Sequence, residues 1–349
     1  MSKAVKIFWI IFLILFSIVL VFLIYATITD YKPKERIILY SNPKAPYLTD
    51  SVFTLMTWNI GYCGMSKQMD FFYDGGTQTR LSKDITLQNV DGIKQFISSH
   101  SDSLDFILLQ EVDTNAKRTY HINEFKILKQ SIGVFRCFFA TNYNVKFIPV
   151  PLKSPYGKVI AGLVSCSRYE PYEVVRYSFP GNFAWPKGLF MLDRCFSVMR
   201  FHLKDGKDFL VINTHNSAFD DGSLRRKQMA FLKDFITSEY NKGNYILVGG
   251  DWNQVPPHYN PKYTDFVKDS VYLGVPDTLL PQWQWVYDPS MPTNRNADQK
   301  YDKSKTPTKI IDFYLLSPNI ELEYIKTEDL NFEYSDHQPV FMRIKLKGV

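Results

Sequence analysis

The stretch Tyr245-Ile246-Leu247-Val248-Gly249-Gly250-Asp251-Trp252-Asn253 decides how the rest of this chain is read. An apolar, β-branched run that ends in two glycines and then offers a carboxylate and an amide reads as a buried strand delivering polar groups at its carboxyl end. An ordinary strand followed by a turn is the alternative, because Gly, Asp and Asn are all turn formers. Trp252, between the two polar residues, should point to the opposite side by the two-residue alternation of a strand and so belong to the core.

Other apolar runs end in the same way. Residues 52–59 alternate and close on Asn59, 105–112 carry Glu111 at their carboxyl end, and 209–215 finish on His215. Strands at 309–316 and 339–346 bring Asp312 and, just before the last of them, Asp336 and His337. Further strands are expected around 134–143, 158–165, 195–203 and 321–326. Helical spacing places Val90, Ile93, Phe96 and Ile97 on one side of a helix at 87–98, and another helix is expected at 123–131. Residues 223–240 form an amphipathic helix facing inward with Leu224, Met229, Leu232, Phe235 and Ile236; Arg225, Arg226 and Lys227 read as its solvated face. Residues 254–308, rich in Pro, Asn, Asp and Trp, read as loops with one short helix.

The amino end differs from this body. Residues 7–28 are uncharged and strongly apolar, 22 residues that span about 33 Å as a helix. A cleavable signal peptide is the competing reading, but the run is long for one and lacks an Ala-x-Ala end. The expected organisation is a membrane anchor at 1–29, a proline-bearing tether at 30–51 and a folded domain at 52–349, with the body outside the cytoplasm. Residues 1–36 hold Lys3, Lys6, Lys32, Lys34 and Arg36 against Asp30 and Glu35, which is half of the net charge of +6. The remainder is only weakly basic, which disfavours a protein that grips a long run of nucleic-acid phosphates. Cys63, Cys137, Cys166 and Cys195 show neither a C-x-x-C pair nor zinc spacing and are expected as free, buried thiols.

Asp, Glu and Asn oxygens gathered at strand ends suit a hard divalent cation such as Mg²⁺, with Mn²⁺ as a substitute, and the histidines suit proton transfer and charge stabilisation on phosphate. Thr57-Trp58-Asn59, Leu109-Gln110-Glu111, Asn213-Thr214-His215, Gly250-Asp251-Trp252-Asn253, Ile311-Asp312-Phe313 and Ser335-Asp336-His337-Gln338-Pro339-Val340 appear in that order. With this ordered set, residues 53–346 resemble the endonuclease/exonuclease/phosphatase superfamily. The resemblance implies a four-layer α/β sandwich of two mixed β-sheets flanked by helices, here preceded by the N-terminal transmembrane helix.

It also implies roles. Glu111 would be the main metal ligand, helped by Asn59 and Asp336. Asp251 would orient or deprotonate the attacking water, and Asn253 would hold the phosphate. His337, kept charged by Asp312, would stabilise charge on the phosphoryl oxygens, while His215 would protonate the leaving oxygen. Asn115, Arg118 and His121, with Arg194 and Arg295, either meet a substrate phosphate or are surface and ion-pair residues. The aromatic segments 179–185 and 282–285 either stack on a ligand, dip into a lipid interface or pack in the core. The implied activity is metal-dependent phosphoric-ester hydrolysis, on a phospholipid headgroup or a small phosphorylated molecule. An extracytoplasmic nuclease and a non-catalytic, membrane-tethered binding domain are the alternatives.

Overall fold

The computed structural model describes residues 2–259 and 274–349. In chain order the elements are α1 (Lys3–Ile28), β1 (Arg36–Ser41), β2 (Val52–Asn59), α2 (Lys83–His100), β3 (Phe106–Asp113), α3 (Glu124–Ser131), β4 (Arg136–Ile148), β5 (Gly157–Ser167), β6 (Glu173–Ser178), β7 (Cys195–His202), β8 (Asp208–His215), α4 (Ser223–Tyr240), β9 (Tyr245–Asp251), β10 (Gln284–Val286), β11 (Asn294–Arg295), β12 (Thr308–Lys309), β13 (Asp312–Leu316), β14 (Ile320–Thr327) and β15 (Val340–Leu346). Two mixed sheets result, one ordered β1-β6-β7-β8-β9-β13-β10 and the other β14-β15-β2-β3-β5-β4.

Alternation within the strands explains the layering. Leu55, Phe106, Leu108, Phe209, Val211 and Leu247 point between the sheets and form one core. Their sequence neighbours point outward: Met56, Ile107 and Leu109 meet Val90, Ile93 and Ile97 of α2. On the far side Leu210, Ile212, Ile246 and Val248 meet Met229, Leu232 and Ile236 of α4. Both faces of the central strands are therefore apolar, which is why those runs read as continuous rather than alternating. The four-layer α/β sandwich is the architecture expected from the sequence.

Each sheet contains one parallel pair, β2 with β3 and β8 with β9. A parallel pair needs a crossover, and α2 and α4 supply them. Polar residues at the carboxyl ends of both pairs consequently emerge at the same edge of the sandwich. The double glycine before Asp251 lets β9 fit there. A Cβ on Gly249 would lie 2.6 Å from the Tyr314 ring, and one on Gly250 would lie 2.0 Å from the Thr214 carbonyl oxygen. Trp252 is fully buried, stacks on Phe313 and donates from Nε1 to the Phe313 carbonyl, so it belongs to the core.

Several expectations require correction. Folding starts inside the expected tether: Ile37, Ile38, Leu39 and Tyr40 lie in β1, the edge strand that pairs with β6, and Pro33, Pro43 and Pro46 flank this short run rather than interrupt it. Cys137 and Cys166 are not free thiols but a disulfide, because β4 and β5 place them directly opposite each other. Cys63 and Cys195 are free and buried. Arg225 is not solvated; it is buried against Asp220, while Arg226 and Lys227 stay exposed. Among the described residues of 254–308 there is no helix; 260–273 lie outside them. Trp283 and Trp285 pack beside the core of the α4 layer.

One buried ion pair away from the strand ends sets an acid limit on stability. Glu239 of α4 accepts two hydrogen bonds from Arg200, at 2.8 and 3.0 Å, and one from Lys242 at 2.9 Å. Burial opposes its ionisation, but the two cations prevail and lower its carboxyl to about 2. A depressed carboxyl contributes stability above its unfolded-state value near 4.5 and loses it as pH falls towards 2. Glu239→Gln is expected to cost roughly 2 kcal/mol at pH 7, and progressively less from pH 4.5 to pH 2. Urea unfolding of both proteins across that window checks it; a pH-independent difference would refute the assignment.

Candidate active site

Three neighbouring strands place His215, Asp251 and Asp312 in one row: Asp251 of β9 is in register with His215 of β8 on one side and Asp312 of β13 on the other. The opposite sheet brings Asn59 at the end of β2 and Glu111 near the end of β3. Glu111 sits in a bulge with φ 54°, which lets its side chain leave the regular alternation. Ser335, Asp336 and His337 enter on the approach to β15.

Asp251 is the hub of the cluster. Asn59 Nδ2 donates to its Oδ2 at 2.9 Å, and the Asn253 backbone N–H donates to its Oδ1 at 2.9 Å. His215 Nε2 lies 3.4 Å and His337 Nε2 3.8 Å from Oδ2, and Glu111 Oε1 is 3.8 Å from His215 Nε2. His337 Nδ1 is 2.8 Å from Asp312 Oδ2, and the His337 carbonyl accepts from Trp58 Nε1 at 3.0 Å. Asn294 Nδ2 approaches the other ring nitrogen at 3.0 Å.

The electrostatics divide the two histidines. Burial works against a charged His337, yet the carboxylates of Asp312, Asp336 and Asp251 lift it to about 10. Burial pushes Asp312 up to about 6 against the pull of His337, so near neutral pH the two form an ion pair. His215 is held well below the ordinary histidine range, by burial first and then by Arg194. It is therefore neutral and can offer only a ring N–H rather than the proton of an imidazolium. Burial also opposes ionisation of Asp251, but the two histidines, His215 first and then His337, together with the hydrogen bonds from Asn59 and Asn253, lower its carboxyl below the usual range.

Glu111 is pushed up to about 7, by burial first and then by Asp336, with Asp251 adding to it. Asp74, in the turn after β2, is raised to about 6 by burial and then by Asp336. Crowded carboxylates of this kind fit a hard divalent cation, whose charge would relieve their repulsion. Space is kept for them by Gly61, at φ 51°, where a Cβ would lie 2.8 Å from Asp336 Oδ1. A second donor set exists: Asp251, Asp312 and His337 offer ligand atoms within 4.8 Å of one another. In that set His337 Nδ1 is already engaged by Asp312.

The other expected residues are placed unequally. Asn59 turns its amide hydrogens to Asp251 while its Oδ1 accepts from Gly61 N–H at 2.9 Å, so in this arrangement it orients the carboxylate. Asn253 donates from Nδ2 to the Asn216 carbonyl at 3.0 Å, and buried Arg225 donates to the Asn253 carbonyl at 2.8 Å. Arg194 interacts electrostatically with Glu111, Asp251 and His215, and its buried Nη1 has no hydrogen-bond partner. Arg118 instead makes a buried bidentate pair with Asp113 and lies 3.5 Å from the centre of the Tyr62 ring. Arg295 is buried and braces the carbonyls of Ser66, Asn296 and Gln299. Asn115 Oδ1 accepts from exposed His121 Nδ1 at 2.7 Å. Asn294 and Asp74 were not expected; Asn294 lies in the two-residue strand β11 and Asp74 in a short turn, and no long apolar run announces either of them.

Two face-to-face sheets that gather acids, amides and histidines at the ends of their parallel pairs define the class: an α/β sandwich with a polar, titratable cluster at one edge. The model of the Endonuclease/Exonuclease/phosphatase family matches residues 56–337, and the chain belongs to that family. No curated protein sequence matches it. Solved structures that share the fold include an endonuclease/exonuclease/phosphatase from Beutenbergia cavernae DSM 12333, with a TM-score of 0.60 and 17% identity over 86% of this chain and 72% of that one. ANGEL2, a 2′,3′-cyclic phosphatase, in complex with adenosine-2′,3′-vanadate, aligns with a TM-score of 0.56 and 17% identity over 90% and 100%. D. rerio TDP2 complexed with single-strand DNA product aligns at 0.52 and 14% identity over 85% and 100%.

Proposed function

We propose that this protein is a membrane-anchored, Mg²⁺-dependent phosphoric-ester hydrolase, a phosphodiesterase or phosphatase, whose substrate is a phospholipid headgroup or a small phosphorylated molecule. The observation that carries the reading is the convergence of Asp251, His215, the Asp312–His337 ion pair and Glu111 within hydrogen-bonding or near-contact distances.

Asp251, buried and held ionised, is placed to orient a water and accept its proton as the oxygen attacks phosphorus. Charged His337 donates a hydrogen bond to a phosphoryl oxygen, and Asp312 keeps it charged and fixes its ring. His215 donates from a neutral ring to the leaving oxygen, and Arg194, with an unsatisfied buried N–H, takes a non-bridging oxygen. Asn253 has one amide hydrogen committed to the Asn216 carbonyl, leaving the other for the phosphate. Glu111 and Asp336, with Asn59, would hold the cation, which when bound supplies Lewis-acid neutralisation of the charge that builds on phosphate.

Helix α1 supports the anchor: its 26 residues are highly apolar and none of them is fully buried, about 39 Å of helix. The Cys137–Cys166 disulfide fits a body on the oxidising side of the membrane. Full-length protein in detergent, assayed on bis-p-nitrophenyl phosphate, choline-phospholipid headgroups, inositol phosphates and plasmid DNA, tests the reading. Mg²⁺-dependent cleavage of the chromogenic diester and of a headgroup ester is expected. Rapid plasmid nicking without turnover of any lipid would favour a nuclease instead.

A further inference from the structure

Anchor and candidate site are joined by direct contacts. Near the exit of α1, Phe22 stacks on Phe190, with ring centres 5.9 Å apart and planes 5° from parallel, and meets Phe147 edge-on at 6.2 Å. Trp185 Nε1 donates to Thr27 Oγ1 at 3.2 Å. Tyr143 Oη donates to the Phe190 carbonyl at 2.9 Å, and Tyr143 interacts electrostatically with Arg194. The segment that touches the anchor thus runs within a few residues into Arg194.

Around this junction lies an exposed apolar rim, of which Phe147 and Trp185 also touch α1. Leu152 is 85% exposed, Trp185 63%, Val150 43% and Phe147 41%. Exposed Lys146, Lys153 and Lys187 flank these residues. Beside Leu152, a cleft of about 580 Å³ is lined by Arg80, Ser82, Tyr120 and Lys153 among others. Large apolar tips ringed by lysines, continuous with an apolar helix, match the interfacial zone of a bilayer: rings and leucine at the acyl boundary, ammonium groups among the phosphates.

We infer that the tips of the β4–β5 loop (149–156) and of the 179–187 segment insert into the interfacial layer of the bilayer that holds α1, so that the candidate site takes phosphoesters presented by lipid headgroups of the same leaflet. The substrate half of this inference rests on the proposed hydrolase activity; the insertion half does not. A soluble phosphoester alone would need no such rim, and an anchor acting as a simple leash would need no packing of Phe22 and Thr27 against the body.

Full-length protein in proteoliposomes of phosphatidylcholine and phosphatidylglycerol tests both halves. Leu152→Cys carrying an environment-sensitive fluorophore is expected to be quenched by lipids spin-labelled near the headgroup. Lys204→Cys, on the β7–β8 turn at the opposite end of the sheet, is expected to be quenched only by aqueous agents. Equal aqueous quenching at both positions overturns insertion, whatever the chemistry. Val150→Glu with Leu152→Glu should lower hydrolysis of vesicle lipid by about tenfold or more while leaving bis-p-nitrophenyl phosphate turnover unchanged. Equal loss on both substrates overturns the lipid assignment. Absence of diester turnover in the unsubstituted protein, with quenching at 152 intact, overturns the hydrolase reading and leaves insertion standing.

Discussion

Asp251→Asn is expected to lower kcat on any accepted phosphoester by about 10³-fold with little change in KM. The carboxylate accepts from Asn59 and from the Asn253 N–H and lies within 4 Å of both His215 and His337. An amide of the same shape keeps the oxygen that accepts from Asn253 but cannot take a proton from water. It also sets an N–H₂ against the Asn59 N–H₂, which disturbs the group that aims it. The fold does not depend on this charge, because Trp252, Phe313 and the inter-sheet core surround the strand. Far-UV circular dichroism should therefore be unchanged and the thermal midpoint should move by only a few degrees. Retention of activity to within tenfold would remove Asp251 from the proposed chemistry. Asp312→Asn is the informative companion, since it leaves the water-handling carboxylate in place and removes only the partner that keeps His337 charged.

Reading the sequence recovers the parts that periodicity controls. The helix at 223–240 and the strand ending on His215 are where the spacing puts them, because a helical stripe or a strand bounded by a tight turn is a local property. The strand-end acids and histidines were legible for the same reason: buried apolar runs that stop at polar residues announce their carboxyl ends. What stayed hidden depends on tertiary neighbours. The Cys137–Cys166 bond follows from β4 and β5 lying side by side, and 29 residues of separation do not reveal that. Arg225 looked like a solvated helix residue because Asp220 and the Asn253 carbonyl approach it from loops outside α4. Arg118 and Arg295 carried the residue type of a phosphate contact; folding instead gives one a carboxylate partner and the other a set of carbonyls. Arg194 was indistinguishable from them in sequence; what sets it apart is a buried Nη1 without a partner on a guanidinium that interacts electrostatically with both Glu111 and Asp251.

Glu111→Gln is expected to raise the thermal midpoint of the metal-free protein while abolishing its response to metal. In the absence of a cation, Glu111 shares a buried edge with Asp336 and Asp251, and removing one of three like charges relieves repulsion. A gain of about 1 kcal/mol corresponds to a rise of roughly 2 °C in a domain of this size. Unsubstituted protein should be stabilised by Mg²⁺ or Mn²⁺ through binding to the folded state alone, by about 2.7 kcal/mol at a hundred times the dissociation constant. Loss of that metal-induced shift in Glu111→Gln, together with loss of turnover, places the cation on the Glu111 and Asp336 side. The rival set of Asp251, Asp312 and His337 makes the opposite prediction: the shift should survive Glu111→Gln and disappear in Asp312→Asn. Geometry favours the first outcome. A cation in the rival set would have to displace either the Asp312 contact at His337 Nδ1 or the Asn294 contact at Nε2, and a ring bound to it could not stay charged, whereas at Glu111 the pull of Arg118 and His337 does not offset the burial and like charges that raise it to about 7.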